Sequence, residues 1–230
     1  MVLTAHWIDN EWDLKHVIIA FQRFSHSHTG EQIQEITLKI FQEFSIVTKA
    51  STITIDNGAN QVAEMKILST RLAKDLQVNF NVIRYEVHTI ALVVNAGLKK
   101  LQPIIDKVRA FVVEIRRSLK KEEELLSFAE KLQVKYKKLI RDVKTRWNST
   151  YSMLDSFLTN KLIINSVLSL HKDFVKLDLT ENEWKEVDYF CTFLKPFFDF
   201  TEVMSGFNYP TFGTLLFLLD HLSDHITITI

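Results

Sequence analysis

The spacing of apolar and polar positions divides this chain into a strand-bearing first part and a helical remainder. Val2 to Ile8 (VLTAHWI) has the composition of a buried strand. Asp9-Asn10-Glu11 supplies turn formers, and Trp12 to Phe24 reads as a second strand, so the opening predicts a β-hairpin. Thr29 or Gly30, in the loop His28-Thr29-Gly30, opens a helix over 31–45 with Ile33, Ile36, Ile40 and Phe44 on one stripe. The β-branched run Thr52 to Ile55 is the next strand. A helix follows across 60–75, its inner face made by Val62, Met65, Leu68 and Leu72. Phe80 to Tyr85 is a further strand, and a helix begins near His88 with Ile90, Leu92, Val93 and Val94.

From Leu101 onward the periodicity is helical. Leu101, Ile104, Ile105, Val108, Phe111, Val112, Ile115 and Leu119 mark one apolar stripe, while Lys107, Arg109, Arg116 and Arg117 lie mostly off it. Glu122 to Leu132 continues in the same style, Lys138 to Ile140 suggests a short strand, and Trp147 to Leu158 returns to helix. Thr180 followed by Glu183 is the signature of a capping box. The long helix it opens carries Trp184, Val187, Cys191 and Leu194, and Pro196 is expected to kink or end it. Tyr209-Pro210-Thr211 begins a last apolar helix that runs into the HITITI tail. Strand, strand, helix, strand, helix, strand and then almost only helix indicates a mixed α/β sheet flanked by helices, followed by a mainly helical region. The expected division is 1–98, 99–146 and 147–230.

Composition narrows the class. With 47% hydrophobic residues and 17 Phe among 230, the chain is able to bury a sizeable core. Cys191 is the single cysteine, which excludes an internal disulfide and any zinc finger built on paired cysteines. No apolar run has the length of a membrane span, and no signal peptide is recognisable, so a soluble intracellular protein is expected. The net charge is zero, yet it is segregated. Residues 99–146 carry 15 basic and 7 acidic side chains, a net +8, between flanks of −2 and −6. Such a block suits a surface that meets phosphate, or else a solvated helical face with internal pairing.

One short stretch raises the question of chemistry. In STITIDNGAN (51–60) a strand ends at Asp56 and Asn57-Gly58 follow. Asp56 is either a carboxylate held at a strand tip or the acid that opens a turn. The wider context bears on this. LTAHWID (3–9), HTGEQI (28–33), TIDNGAN (54–60), VIRYEVHTIALVVNAGL (82–98), DVKTRWNSTYSML (142–154) and SGFNYPT (205–211) occur in this order. Together they resemble the catalytic region of hobo/Activator-type (hAT) transposases, the group that includes BED zinc finger and RICESLEEPER-like proteins.

The resemblance implies a ribonuclease-H-like fold interrupted by a helical insertion, and chemistry by three carboxylates holding two divalent ions (Mg²⁺ or Mn²⁺). Asp56 matches the second carboxylate, and hence a metal ligand by descent. The first is expected on a strand before TAHWID and the third, a Glu, after the insertion. Neither has a counterpart in residues 1–230, nor does the BED finger. The expected sheet is therefore incomplete, with the hairpin and the Thr52–Ile55 strand either separated by a gap or paired directly. The expected chain is catalytically inactive alone, holds no cofactor, and has Asp56 as a remnant. Asp9, Asp13 and Asp142 have no spacing that makes them substitutes.

The same resemblance places Arg146-Trp147 near DNA. An aromatic face stacks on any base and an arginine bridges to phosphate, although a Trp here also suits a helix core, with Thr145 or Asn148 as cap. The family's Cys-x-x-His becomes Tyr85-Glu86-Val87-His88, which leaves His88 as a structural residue or a DNA contact. With Arg116, Arg117, Lys120 and Lys121 from the basic block, these form the candidate DNA-binding set. Expected partners are DNA, bound weakly and in a salt-sensitive way, and other proteins or a second copy of the chain. The Phe-rich segment from Phe190 to Phe207 offers an apolar surface if it is exposed, and no membrane is expected. The location implied by the resemblance is nuclear, and otherwise cytoplasmic. The alternative function is a co-opted protein-interaction module without DNA binding.

Overall fold

A computed structural model describes residues 1–23, 30–55, 59–84, 86–170, 177–205 and 212–229. They belong to two units, one of residues 1–90 with 206–210 and the other of 91–205 with 211–230. The mixed α/β class is observed, with small sheets in the first unit and helices throughout the second.

In the first unit, β1 (Val2–Ile8) pairs antiparallel with β2 (Leu14–Phe21). The second strand starts later than the apolar pattern suggests because Asp9 builds a longer loop. Its carboxylate accepts from the backbone N–H groups of Glu11 (3.0 Å) and Asp13 (2.9 Å), and Trp12 closes the loop at φ 67°. The Asp13 N–H holds the Asp9 carboxyl below its ordinary pKa, outweighing what desolvation there is, with Lys15 and the Glu11 N–H adding to the effect. After α1 (Gly30–Glu43), β3 (Thr52–Ile55) runs parallel to β4 (Asn81–Arg84), and α2 (Ala59–Leu76) connects them. Ile53 packs with Phe41, Met65, Leu68, Leu72 and Phe80, and Leu3 of β1 reaches the same cluster. Among the described residues no ladder joins β1–β2 to β3–β4, so the direct pairing considered above does not occur.

The second unit takes in most of α3 (Glu86–Leu98), then α4 (Gln102–Arg116), α5 (Leu119–Lys131), α6 (Trp147–Thr159), α7 (Lys161–Leu170), α8 (Glu181–Met204) and α9 (Phe212–Thr229). The apolar stripe from Leu101 to Ile115 is buried throughout, but Leu119 is 81% exposed. Ser118 has an extended backbone and separates α4 from α5, so the helical phase that would have carried Leu119 inward is lost. Helix α7 was not foreseen; its Ile163, Ile164 and Val167 are buried.

Two further expectations are corrected. Lys138 to Ile140 forms no strand, for reasons given below. Pro196 does not end α8, which runs on to Met204. Proline costs a helix roughly 3 kcal/mol, whereas stopping there would expose Phe197 and Phe200, both buried on the next turns. The capping box is present as expected. Thr180 Oγ1 accepts from the Glu183 N–H at 3.2 Å, and Glu183 accepts from the Thr180 N–H at 2.8 Å. The Phe-rich part of α8 is mainly core, since Phe197 and Phe200 are buried while Tyr189 is exposed. Burial pushes the thiol of Cys191 up to about 12, with Asp155 and Asp188 adding to the shift, so this cysteine is a packing residue.

The centre of the second unit is aromatic. Phe157 lies stacked on Trp184 at 4.9 Å between ring centroids and edge-on to Phe111 at 5.5 Å. All three are essentially inaccessible to solvent. Phe157→Ala is expected to cost about 3–5 kcal/mol, read as a lowered urea midpoint of the helical circular-dichroism signal.

Candidate nucleic-acid interface

Between α5 and α6, residues 132–146 have neither a helix nor a ladder. Their backbone groups must therefore find other partners. Helix α6 and its C-terminal cap supply them. Asn160, fully buried, accepts from the Lys137 N–H with Oδ1 at 3.1 Å and donates from Nδ2 to the Lys137 carbonyl at 2.6 Å. Ser156 Oγ accepts from the Ile140 N–H at 3.1 Å, and Ser149 Oγ from the Val143 N–H at 2.8 Å. The pinned amides are three residues apart and meet α6 in reverse order, so the segment is an extended strap antiparallel to that helix. This is why Lys138–Ile140 is not a strand, since side chains take the place of a neighbouring β-strand.

Beneath the strap, Leu139 is buried and Asp142 is held by α4. The Arg109 guanidinium meets Asp142 through Nε at 3.0 Å and Nη2 at 2.7 Å, and Thr150 donates to the same carboxylate at 3.3 Å. Burial pushes the Asp142 carboxyl up, but the Arg109 hydrogen bond and charge, with Thr150, outweigh it and leave the group below its usual pKa. The Arg109 pKa is raised by the same partnership. Asp142 is thus a structural anchor, and Asp9 is committed to its hairpin loop.

The basic block splits into paired and unpaired charges. Lys107 binds Glu183, Arg109 binds Asp142 and Asp106, Arg116 binds Glu122, Lys121 binds Glu114, and Lys137 binds Asp155. Among the described residues, Lys120, Lys135, Lys138, Lys144 and Arg146 are exposed and make no ion pair. Arg117 is also exposed, with Glu114 as a charged neighbour. Lys138 and Arg141 border a shallow depression of about 490 Å³ together with Arg116, Lys137, Leu139 and Ile140.

The candidate residues read from the sequence therefore fare differently. Arg117, Lys120 and Arg146 present charge to solvent, while Arg116 and Lys121 have theirs neutralised. Trp147 is 4% exposed at the start of α6, which gives its ring no open face for a base in this conformation. The cap of α6 is Arg146, without a side-chain bond; Ser149 rather than Thr145 or Asn148 turns back on the preceding loop. His88 is exposed on α3 and lies in the first unit, whereas the basic residues lie in the second. Asp56 lies outside the described residues, in the chain directly after the end of β3. Among the described residues no three His, Cys, Asp or Glu side chains converge as a metal-binding group. Sequence reasoning passed over Lys135, Lys138, Arg141 and Lys144. Their spacing of three, K-x-x-K-x-x-R-x-x-K, was the available signal.

Residues 1–81 match the ZBED1 RNase-like domain, and residues 83–193 match the ZBED1 RNase-like helical domain. The chain belongs to the hAT-type, transposase-derived family. A Zea mays protein bearing the AC transposase name is 32% identical over 218 residues, covering 92% of this chain and 27% of that protein. The Talaromyces stipitatus protein named for transcriptional regulator tpeD is 30% identical, over 98% of this chain and 30% of its own length. RICESLEEPER 2 of Oryza sativa, a zinc finger BED domain-containing protein, is 25% identical over 91% of this chain and 30% of its own length. The chain therefore spans between a quarter and a third of the length of these curated relatives. The two matched stretches meet at residues 81–83, within β4.

The anchor beneath the strap has a pH signature. Asp142→Asn leaves the Arg109 charge short of its main partner and is expected to cost about 2–3 kcal/mol, at or below the lower end for a broken buried pair because Asp106 also holds Arg109. A carboxyl lowered by folding contributes stability above its unfolded value and loses it as the pH falls through the folded value. The urea-midpoint difference between wild type and Asp142→Asn should therefore be full at pH 7. It should begin to shrink below about pH 3.9, the ordinary aspartate value.

Proposed function

We propose that this chain is the nucleic-acid-binding part of a hAT-type protein and cleaves no DNA by itself. The observation that carries this reading is the row of exposed, unpaired cations on and beside the strap, Lys135, Lys138, Lys144 and Arg146 among the described residues. Glu122, Asp142 and Asp155 are each closed in an ion pair with another cation of this region. Unpaired cations on a firmly held segment neutralise phosphates and release counterions, giving affinity without base readout. The family pattern of three carboxylates supports the second half of the proposal, since Asp56 is its one match within these residues. Nuclear location follows the same family reading.

A second reading has its own observation. Helix α9 exposes Leu216 at 79%, Phe217 at 75% and Ile228 at 84%. An apolar face of that kind suits a protein partner or a second copy. Concentration-dependent self-association in sedimentation, insensitive to added DNA, favours this reading over the first.

The direct test is a mobility-shift assay with a 20-bp duplex across a salt series, with Mg²⁺ present in a parallel set. Micromolar binding at 50 mM salt is expected, with a log–log salt slope of about −3 to −5, corresponding to roughly four or five phosphates at 0.9 each. The duplex should stay intact with Mg²⁺. Undetectable binding at 50 mM salt removes the DNA-binding reading, and Mg²⁺-dependent cleavage abolished by Asp56→Asn removes the claim of inactivity.

A further inference from the structure

The strap has a threefold order that gives its cations a common direction. Lys137, Ile140 and Val143 point their N–H groups to Asn160, Ser156 and Ser149 on α6 and its cap. Tyr136, Leu139 and Asp142 form the second row and are the covered ones: Leu139 is buried, Asp142 is bound by Arg109, and Tyr136 is half-buried, its hydroxyl pushed up by desolvation. Lys135, Lys138 and Arg141 form the third row and are exposed, and exposed Lys144 follows in the turn that the Arg146 N–H closes on the Val143 carbonyl at 2.8 Å. An extended chain with three residues per turn advances about 3.1 Å per residue, so like positions recur about every 9 Å along one side. The pinned span fits that pitch. The six residue steps from Lys137 to Val143 reach about 19 Å, and the eleven helical steps from Ser149 to Asn160 reach about 17 Å.

We propose that Lys135, Lys138, Arg141 and Lys144 form a rail that tracks one phosphodiester backbone, either a single DNA strand or one strand of a duplex. This rests on the DNA-binding reading above and assigns residues to it. The rail differs from ordinary surface lysines in its backing. Its backbone is fixed by buried Asn160 and Ser156, so its cations are held in line before any ligand arrives and less ordering is needed on binding. It also carries no base-reading geometry. Only one strap residue in three turns into the protein, and the rail itself offers point charges that suit phosphate and are indifferent to sequence.

The test compares the full chain with a Lys135→Gln/Lys138→Gln/Arg141→Gln variant and with a Lys66→Gln/Lys74→Gln control on α2, where both lysines are exposed. Each is titrated with a 20-nucleotide single strand and a 20-bp duplex between 50 and 200 mM salt. The rail variant is expected to bind at least about 10-fold more weakly at 50 mM salt. Its salt slope should be smaller by about 2–3 on duplex and by about 2 on single strand, as three lost contacts predict. The control should change the slope by less than about 1. On the unmodified protein, bound DNA should protect Lys135, Lys138 and Lys144 from acetylation, read by mass spectrometry, which gives an answer even if the variant fails to fold. A folded rail variant with the wild-type slope, or equal acetylation of these lysines with and without DNA, overturns the rail while leaving DNA binding in place. Failure of the wild-type chain to bind either nucleic acid overturns both.

Discussion

Three side chains on one helix, Asn160, Ser156 and Ser149, decide what the middle of this protein presents to solvent. A fifteen-residue segment without regular structure would ordinarily lose its backbone hydrogen bonds to water and move freely. Here Asn160 returns both a donor and an acceptor to Lys137, in the manner of a neighbouring strand, and the two serines catch every third amide after it. The bonds at Lys137 and Ile140 are part-buried, where an unmet polar group would be expensive, and the one at Val143 is exposed. The strap is therefore a fixed element, with the Tyr136, Leu139 and Asp142 row turned inward while the pinned row and the outer row both stay exposed.

Charge pairing refines this surface. The basic block has a large excess of cations in sequence, and the fold assigns it two roles. Lys107, Arg109, Arg116, Lys121 and Lys137 join helices or the strap to each other through acids. Among the described residues Lys120, Lys135, Lys138, Lys144 and Arg146 make no ion pair. The Arg109–Asp142 pair belongs to the first role and holds the strap's covered row against α4, while Thr150 ties the same carboxylate to α6. Removing it affects stability first, whereas removing the outer row affects only what the surface binds.

Much of this was legible in the sequence, for specific reasons. The strands and helices of the first unit were readable because Thr52–Ile55 and the Val62/Met65/Leu68/Leu72 stripe obey clean periods. The capping box was readable because Thr180 and Glu183 act locally. Helix α7 was missed because it is short and follows α6 after a single residue. Leu119 was misplaced because the two-residue break at Arg117 and Ser118 shifts helical phase without changing composition. Pro196 misled because local propensity gives way to the burial of Phe197 and Phe200. The strap was illegible as such, since its partners are side chains 6 to 23 residues away and no strand or helix pattern encodes them. Asp56, which the motif context singles out, stands at the C-terminal end of β3 in the chain, and its reading continues to rest on that context.

Helix α6 and its C-terminal cap clamp the strap amide by amide. Backbone hydrogen exchange measured by nuclear magnetic resonance reads that clamp. The amides of Lys137, Ile140 and Val143 should be protected, those of Lys138 and Arg141 between them should exchange rapidly, and Asn160→Leu should release Lys137 first. Uniformly fast exchange from residue 135 to 144 in the folded protein would contradict the clamp. Protection of the outer-row amides in place of the pinned ones would contradict the threefold order built on it.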